Sequence, residues 1–224
     1  MKLYKTNVHG NPNVGLYGFC TEKYCLLAQE FTAEQVEKIR AVLQVPVHQL
    51  RIANSSLIGA LVTGNINVLL VPHTCHEREL ALLKELKIPF KIIQTKLTAL
   101  GNNILCNDTG ALVNKEFSAD TKKIIRQALN VTLHPGDIGK SDVPGSCVVH
   151  NTHGAVIHAF ASPEEIIEVQ NLLNVKCTRA TVNFGSPYVK SGLLANSHGM
   201  VIGDTSTGVE IENIYEGLGF LQKE

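Results

Sequence analysis

The chain has 224 residues, 44% of them apolar and 18% charged, and its 20 Lys+Arg against 20 Asp+Glu give a formal net charge of zero. That composition is globular, which excludes a disordered chain, and it argues against a protein that grips nucleic acid through bulk positive charge. No apolar run approaches the ~18 residues of a membrane span, Met1 to Asn7 lacks the apolar core of a signal peptide, and the six cysteines are expected to be reduced thiols in the cytoplasm.

Taken in chain order, the predicted helices start at a repeating cap. A Ser or Thr ahead of acidic or amide residues and an apolar run marks Thr32 (with Gln35), Thr74 (Glu77), Ser118, Ser162 (Glu165, with Pro163 first in the helix) and Thr207 (Glu210), spaced by 42, 44, 44 and 45 residues. A leucine near each helix end, at Leu43, Leu86, Leu129, Leu173 and Leu218, repeats at 43, 43, 44 and 45. Four of these leucines lead into a short apolar segment, as in Val45-Pro46-Val47 and Ile88-Pro89-Phe90. An Asn at 65, 107, 151 and 196 precedes each of the last four helices, and Gly110, Gly154 and Gly199 follow three of them. Asn and Gly tolerate positive φ, so these read as hairpin turns between apolar runs such as Leu57 to Val62 and Val68 to Val71.

Three markers share one period, and a fifth of 224 residues is 44.8. The chain therefore reads as one domain of five strand–turn–strand–helix–strand units, at approximately 10–53, 54–96, 97–140, 141–184 and 185–224. The helix stripes, Val36, Ile39, Val42 and Leu43 in the first and Ile166, Val169 and Leu173 in the fourth, each cover a sheet. Little chain follows Leu218, while Met1 to Val8 resembles the post-helix segment Val175 to Val182. Residues 1–9 are thus expected to complete the fifth unit and close a ring, which removes free sheet edges. An all-β propeller with a WD signature is excluded by the absence of Trp.

The candidate chemical motifs are weak by comparison. No CxxC occurs, and Cys25, Cys147 and Cys177 sit in or beside apolar runs, as small hydrophobes do. His73/His76 and His150/His153 are H-x-x-H pairs, the second with His158 nearby, but zinc needs three or four ligands and no carboxylate completes either set. Exposed turn histidines account for both pairs, and no metal is expected. Gly136-Asp137-Ile138-Gly139-Lys140-Ser141 fails the phosphate-loop pattern, having His134 where the first Gly belongs and Pro144 where a helix should run. A polar linker between units three and four is expected there.

The same residues carry a family resemblance. Gly64-Asn65 with Leu69 to Pro72, the run Leu97 to Val113 (including Thr98 to Asn102 and Cys106-Asn107-Asp108), Gly145-Ser146, Thr181-Val182-Asn183, Gly185-Ser186, Ala195-Asn196 and Asp204-Thr205 resemble the translation initiation factor 6 family, in its archaeal form. The resemblance implies a five-bladed α/β propeller of the pentein type, no catalysis, no cofactor, and a cytoplasmic monomer. It implies a ribosome anti-association factor that binds the large ribosomal subunit, blocks joining of the small one and takes part in large-subunit maturation. The implied contacts are an L14-type ribosomal protein, near the sarcin–ricin loop and an L24-type protein. The implied release partners are an SBDS-type protein and an elongation-factor-like GTPase. Carried over position by position, the implied ribosome-binding residues are Asn65, Asn102, Asn107, Asp108, Asn151, Asn183, Gly185, Ser186 and Asn196. Ala60 stands where the eukaryotic branch has Arg, so a contact made by that arginine is absent or moved. The alternative is a pentein-fold hydrolase of guanidino groups, which needs a cysteine close to the C-terminus; the last cysteine here is Cys177.

Overall fold

The computed structural model describes residues 2–221 and arranges them as a ring of five units. Each unit contributes a three-stranded sheet in which an inner strand pairs antiparallel with a middle strand, and the middle strand pairs parallel with an outer strand reached through a helix. The first sheet runs β2 (Gly18–Cys20), β3 (Cys25–Leu27), β4 (Val47–Gln49), with α1 (Ala33–Leu43) as the crossover. The second is β5 (Thr63–Gly64), β6 (Leu69–Pro72), β7 (Phe90–Ile93), preceded by the short helix α2 (Ile58–Leu61) and crossed by α3 (Glu77–Glu85). The third is β8 (Ile104–Cys106), β9 (Gly110–Val113), β10 (Thr132–Pro135), with α4 (Leu100–Asn103) before it and α5 (Ala119–Leu129) across it. The fourth is β11 (Val148–His150), β12 (Ala155–His158), β13 (Cys177–Ala180), crossed by α6 (Pro163–Leu173). The fifth uses β14 (Leu193–Ala195), β15 (Met200–Gly203) and, as its outer strand, β1 (Leu3–Thr6) from the start of the chain, with α7 (Gly208–Gly217) leading toward the fifth helix end.

Closure is explicit in the register: Leu3 to Thr6 pair parallel with Met200 to Gly203. The fold is thus a five-fold pseudosymmetric α/β propeller, as expected, in which no sheet is left without its third strand. Four of the crossover helices also pack on the preceding unit: α1 on β1 and β15, α5 on β7, α6 on β9, α7 on β12 and β13. The buried stripe of α1, Val36, Ile39, Val42 and Leu43, therefore joins units as well as covering its own sheet. Full burial of each such side chain stabilises by about 1.5–3 kcal/mol, so inter-unit packing holds the ring.

Four of the helix starts fall where the sequence places them: Thr32, Ser118, Ser162 and Thr207 all accept a hydrogen bond from the backbone N–H three residues on. The second differs. The cap is His76, not Thr74, because Glu79 rather than Glu77 turns back, accepting from the His76 N–H at 2.9 Å and from Ala53 and Asn54, at the junction with the previous unit, at 2.8 Å each. The apolar run Leu57 to Val62 is not a strand either: Ile58–Leu61 form a helical turn and only Thr63–Gly64 pair with β6. Every unit has such a turn ahead of its inner strand, the others being Val14–Leu16, Leu100–Asn103, Pro144–Ser146 and Val189–Gly192. No helix among the described residues is long and apolar enough to cross a membrane.

Candidate functional site

The inner strands β2, β5, β8, β11 and β14 line the ring axis, and each starts at a helical turn and ends at a hairpin turn. The axis therefore has two chemically distinct ends, about 10 Å apart by the rise of a three-residue strand.

At the hairpin end the repeated asparagines act as staples. Within its own turn each Oδ1 accepts backbone N–H groups, as Asn151 does from His153 at 2.8 Å and Gly154 at 3.0 Å. Each Nδ2 reaches into the next unit and donates to the carbonyl of the leucine closing that unit's helix. The pairs are Asn65 to Leu129 at 2.9 Å, Asn107 to Leu173 at 2.8 Å, Asn151 to Leu218 at 3.0 Å and Asn196 to Leu43 at 2.7 Å. Asn65, Asn151 and Asn196 are 4%, 4% and 1% exposed, so a helix C-terminus that would otherwise leave a buried carbonyl orphaned is satisfied by a side chain. In the first unit Thr21 takes the local half of the task, accepting from Lys23 and Tyr24 N–H, but its side chain has no amide to send to Leu86. The seam is instead crossed by Lys23 Nζ to Ile66 O at 3.0 Å. Asp108 is exposed at this end and accepts from the Ile66 N–H at 3.0 Å.

At the helical-turn end the units meet backbone to backbone. A Cβ on Gly15, Gly59, Gly101 or Gly145 would overlap a carbonyl oxygen of the adjoining turn, so this close approach requires glycine. A shallow depression there is lined by Asn102, Ser186, Tyr188, Asn13, Ser146 and Ser191, among others. The Asn102 amide makes no side-chain hydrogen bond among the described residues. Asn183, by contrast, is engaged: Nδ2 donates to Pro12 O at 3.0 Å and Oδ1 accepts from the Ser206 hydroxyl at 3.2 Å.

Beside the depression, Val182–Ser186 forms a turn in which Asn183, Phe184 and Gly185 all have positive φ, at 50°, 65° and 100°. The Glu210 carboxylate holds it by accepting from Phe184 N at 3.2 Å and Gly185 N at 2.8 Å. Hydrogen bonds from Thr207, Gly185 and Thr181 keep that carboxyl below its ordinary range against the opposing effect of burial. Positive φ is unfavourable for an aromatic residue, yet Phe184 sits there 84% exposed. Tyr188 is 41% and Phe160 76% exposed, and the buried His158 ring lies edge-on between them at 5.1 and 5.7 Å. The sequence reading missed these aromatics because they come from two loops, Phe160 from one and Phe184 with Tyr188 from the other; the only local signal was a bulky residue in a turn, Asn183-Phe184-Gly185.

The nine carried-over positions thus separate. Asn102, Asn183, Gly185 and Ser186 lie at the helical-turn end, while Asn65, Asn107, Asp108, Asn151 and Asn196 lie at the hairpin end.

The other motifs resolve locally. Ile138–Ser141 is a turn with Gly139 and Lys140 at φ 61° and 67°, and Gly139 N–H donates to Glu165, so a carboxylate occupies the place where a phosphate would need donors. His73, His76 and His153 are exposed, but His150 is not a turn residue: it ends β11 and its Nε2 sits 2.9 Å from Cys106 O. No group of three or more His, Cys, Asp or Glu side chains among the described residues is placed to hold a metal. All six cysteines are free thiols, and burial pushes Cys147 and Cys177 up to about 12, far from a thiolate nucleophile at neutral pH.

Comparison with known proteins bears on this geometry. A translation initiation factor 6 of Pyrococcus abyssi is 39% identical over 227 residues, covering 99% of this chain and 100% of the relative. Those of Thermococcus onnurineus and Sulfolobus acidocaldarius are each 36% identical, the latter covering 96% of this chain and 97% of its own length. Among solved structures, the N-terminal domain of the arginine dihydrolase ArgZ superposes with a TM-score of 0.49 at 11% identity, over 75% of this chain and 68% of that one. The eIF-6 family model matches residues 3–217. With its ring, its staples and its relatives in agreement, the chain belongs to the eIF-6 family.

Proposed function

We propose that the chain is a translation initiation factor that docks its helical-turn end on the large ribosomal subunit and sterically prevents the small subunit from joining. The observation that carries the choice of end is the contrast in side-chain engagement. The hairpin-end amides are consumed in holding units together. The helical-turn end offers Asn102 and Ser186 beside Tyr188, Phe184 and Phe160, exposed aromatics of the kind that anchor protein interfaces. A rigid, net-neutral surface of this kind suits a protein partner more than RNA phosphates, which call for Lys and Arg. In this reading the partner is an L14-type ribosomal protein near the sarcin–ricin loop and an L24-type protein. A cytoplasmic monomer acts in subunit maturation as well as initiation, and an SBDS-type protein with an elongation-factor-like GTPase releases it. The plug performs no catalysis and needs no moving part. Sedimentation of purified subunits with the protein tests this: it should travel with the large subunit alone and lower the yield of joined ribosomes. Binding to neither subunit would refute it, and turnover of an arginine-like substrate lost in Cys177→Ala would favour the hydrolase instead.

A further inference from the structure

The ring encloses a cavity of about 280 Å³ on its axis, open at the hairpin end and floored by Lys190. Lys190 occupies the fifth of the positions filled elsewhere by Gly15, Gly59, Gly101 and Gly145, and its backbone oxygen is the one that Gly15 approaches. Four units present a hydrogen atom to the axis at this position; the fifth presents a lysine. Its Nζ crosses from the fifth unit to the third and donates to Gly101 O at 2.6 Å. That uses one of three donors, and no Asp or Glu among the described residues pairs with it. Glu22 and Asp108 stand at the mouth, but they are committed to Ser197 N and Ile66 N. The walls between are the side chains of β2, β5, β8, β11 and β14: Cys20, Thr63, Cys106, Val148 and Leu193. His150 stands on the same wall, its Nε2 at Cys106 O and its Nδ1 without a partner among the described residues.

A cation taken out of water without a counter-ion is unfavourable, and proteins ordinarily pair it or leave it out. Consistent with that, burial brings the Lys190 ammonium down to about 8. We propose that the axial cavity is a binding site for a small organic monoanion, a carboxylate with a short apolar body, whose charged end meets Lys190 Nζ. One ammonium calls for one negative charge, and the largely apolar walls disfavour a doubly charged phosphate, whose second charge would go unmet. The volume falls just under the ~300–1,000 Å³ of pockets for drug-sized ligands, so the body is only a few carbons long. The two unengaged Lys190 donors would take the two carboxylate oxygens, while the neutral His150, whose Nε2–H is used at Cys106 O, only lines the wall.

The test is a titration of the full chain, labelled with ¹⁵N, with hexanoate, and with hexanamide and inorganic phosphate as comparators. The proposal expects saturable shifts at Gly101, Cys106 and Lys190 with hexanoate, and none with hexanamide. It expects affinity reduced roughly 30-fold or more in both Lys190→Met and Lys190→Gln, since each removes one member of a buried charge pair. Lys190→Gln keeps a donor for Gly101 O, so it guards against a fold defect in the methionine variant. Absence of saturable binding, equal binding of hexanamide, undiminished binding in a folded Lys190→Gln protein, or tighter binding of phosphate would each overturn it.

Discussion

If the asparagines are staples, removing one should cost stability in an amount set by the groups it leaves bare. Asn151→Ala deletes four hydrogen bonds: Nδ2 to Leu218 O at 3.0 Å and, more weakly, to Asn196 O at 3.4 Å, and Oδ1 from His153 N at 2.8 Å and Gly154 N at 3.0 Å. His153 is exposed, so its N–H regains water, but Gly154 and Leu218 are buried and their groups stay unpaired. Two orphaned buried groups at about 1–3 kcal/mol each give a loss of roughly 2–6 kcal/mol. For a chain of this size each kcal/mol moves Tm by about 2–4 °C, so a loss near 3 kcal/mol lowers Tm by about 6–12 °C. Asn151→Asp separates the two halves of the staple: it keeps an acceptor for the turn but sets a carboxylate against the Leu218 carbonyl, so it should also destabilise. Urea denaturation of the three proteins at neutral pH measures this directly. A loss below about 1 kcal/mol in the alanine variant, or an aspartate variant as stable as the parent, would refute the staple.

The first unit permits the converse. Thr21→Asn supplies the missing amide to Leu86 O and should stabilise by about 1 kcal/mol, seen as a rise in urea midpoint. Gly59→Ala places a methyl onto the Gly15 carbonyl, a backbone atom that cannot step aside; a loss of about 3 kcal/mol or more, or failure to accumulate folded protein, is expected from denaturation or expression of soluble chain. Lys190→Met has a pH signature. The native ammonium titrates near 8 and the unfolded one near ~10.4, so the wild-type chain bears a cost of about 3 kcal/mol that is fully present below pH 8. That cost fades as pH rises toward ~10.4, where native and unfolded lysines are both neutral. Allowing about 1 kcal/mol for the lost bond to Gly101 O, the variant should be more stable than the parent by about 2 kcal/mol at pH 7, and the difference should shrink above about pH 8. Cys106 is raised to about 11 by burial and drawn down by Lys190, so the comparison is read up to about pH 9, where its thiol stays neutral in both proteins.

The period was legible because its markers are physical necessities of each unit: a cap for a helix start, a leucine for its buried end, an Asx turn for a hairpin. Ring closure followed from an outer strand missing at one end of the chain and spare at the other. The helical turns were not legible, since three or four residues give no periodicity, and the apolar run at Leu57 to Val62 looks the same as strand or turn. The start at His76 rather than Thr74 is decided by Glu79 reaching Ala53 and Asn54, a contact at the junction between units. The asparagines were visible as turn residues, but the arm each sends to the next unit's helix end exists only once the ring is closed. The aromatic patch and the lysine in the fifth glycine position depend likewise on which loops the ring brings together, and no stretch of sequence contains them.

The most direct test of the docking account is co-sedimentation with purified large subunits of three forms: the parent chain, Asn102→Lys at the helical-turn end and Asp108→Ala at the hairpin end. The account predicts that the parent and Asp108→Ala travel with the large subunit and suppress joining, while folded Asn102→Lys does neither. Retained binding in Asn102→Lys together with loss in Asp108→Ala would place the contact on the opposite end of the ring and contradict it.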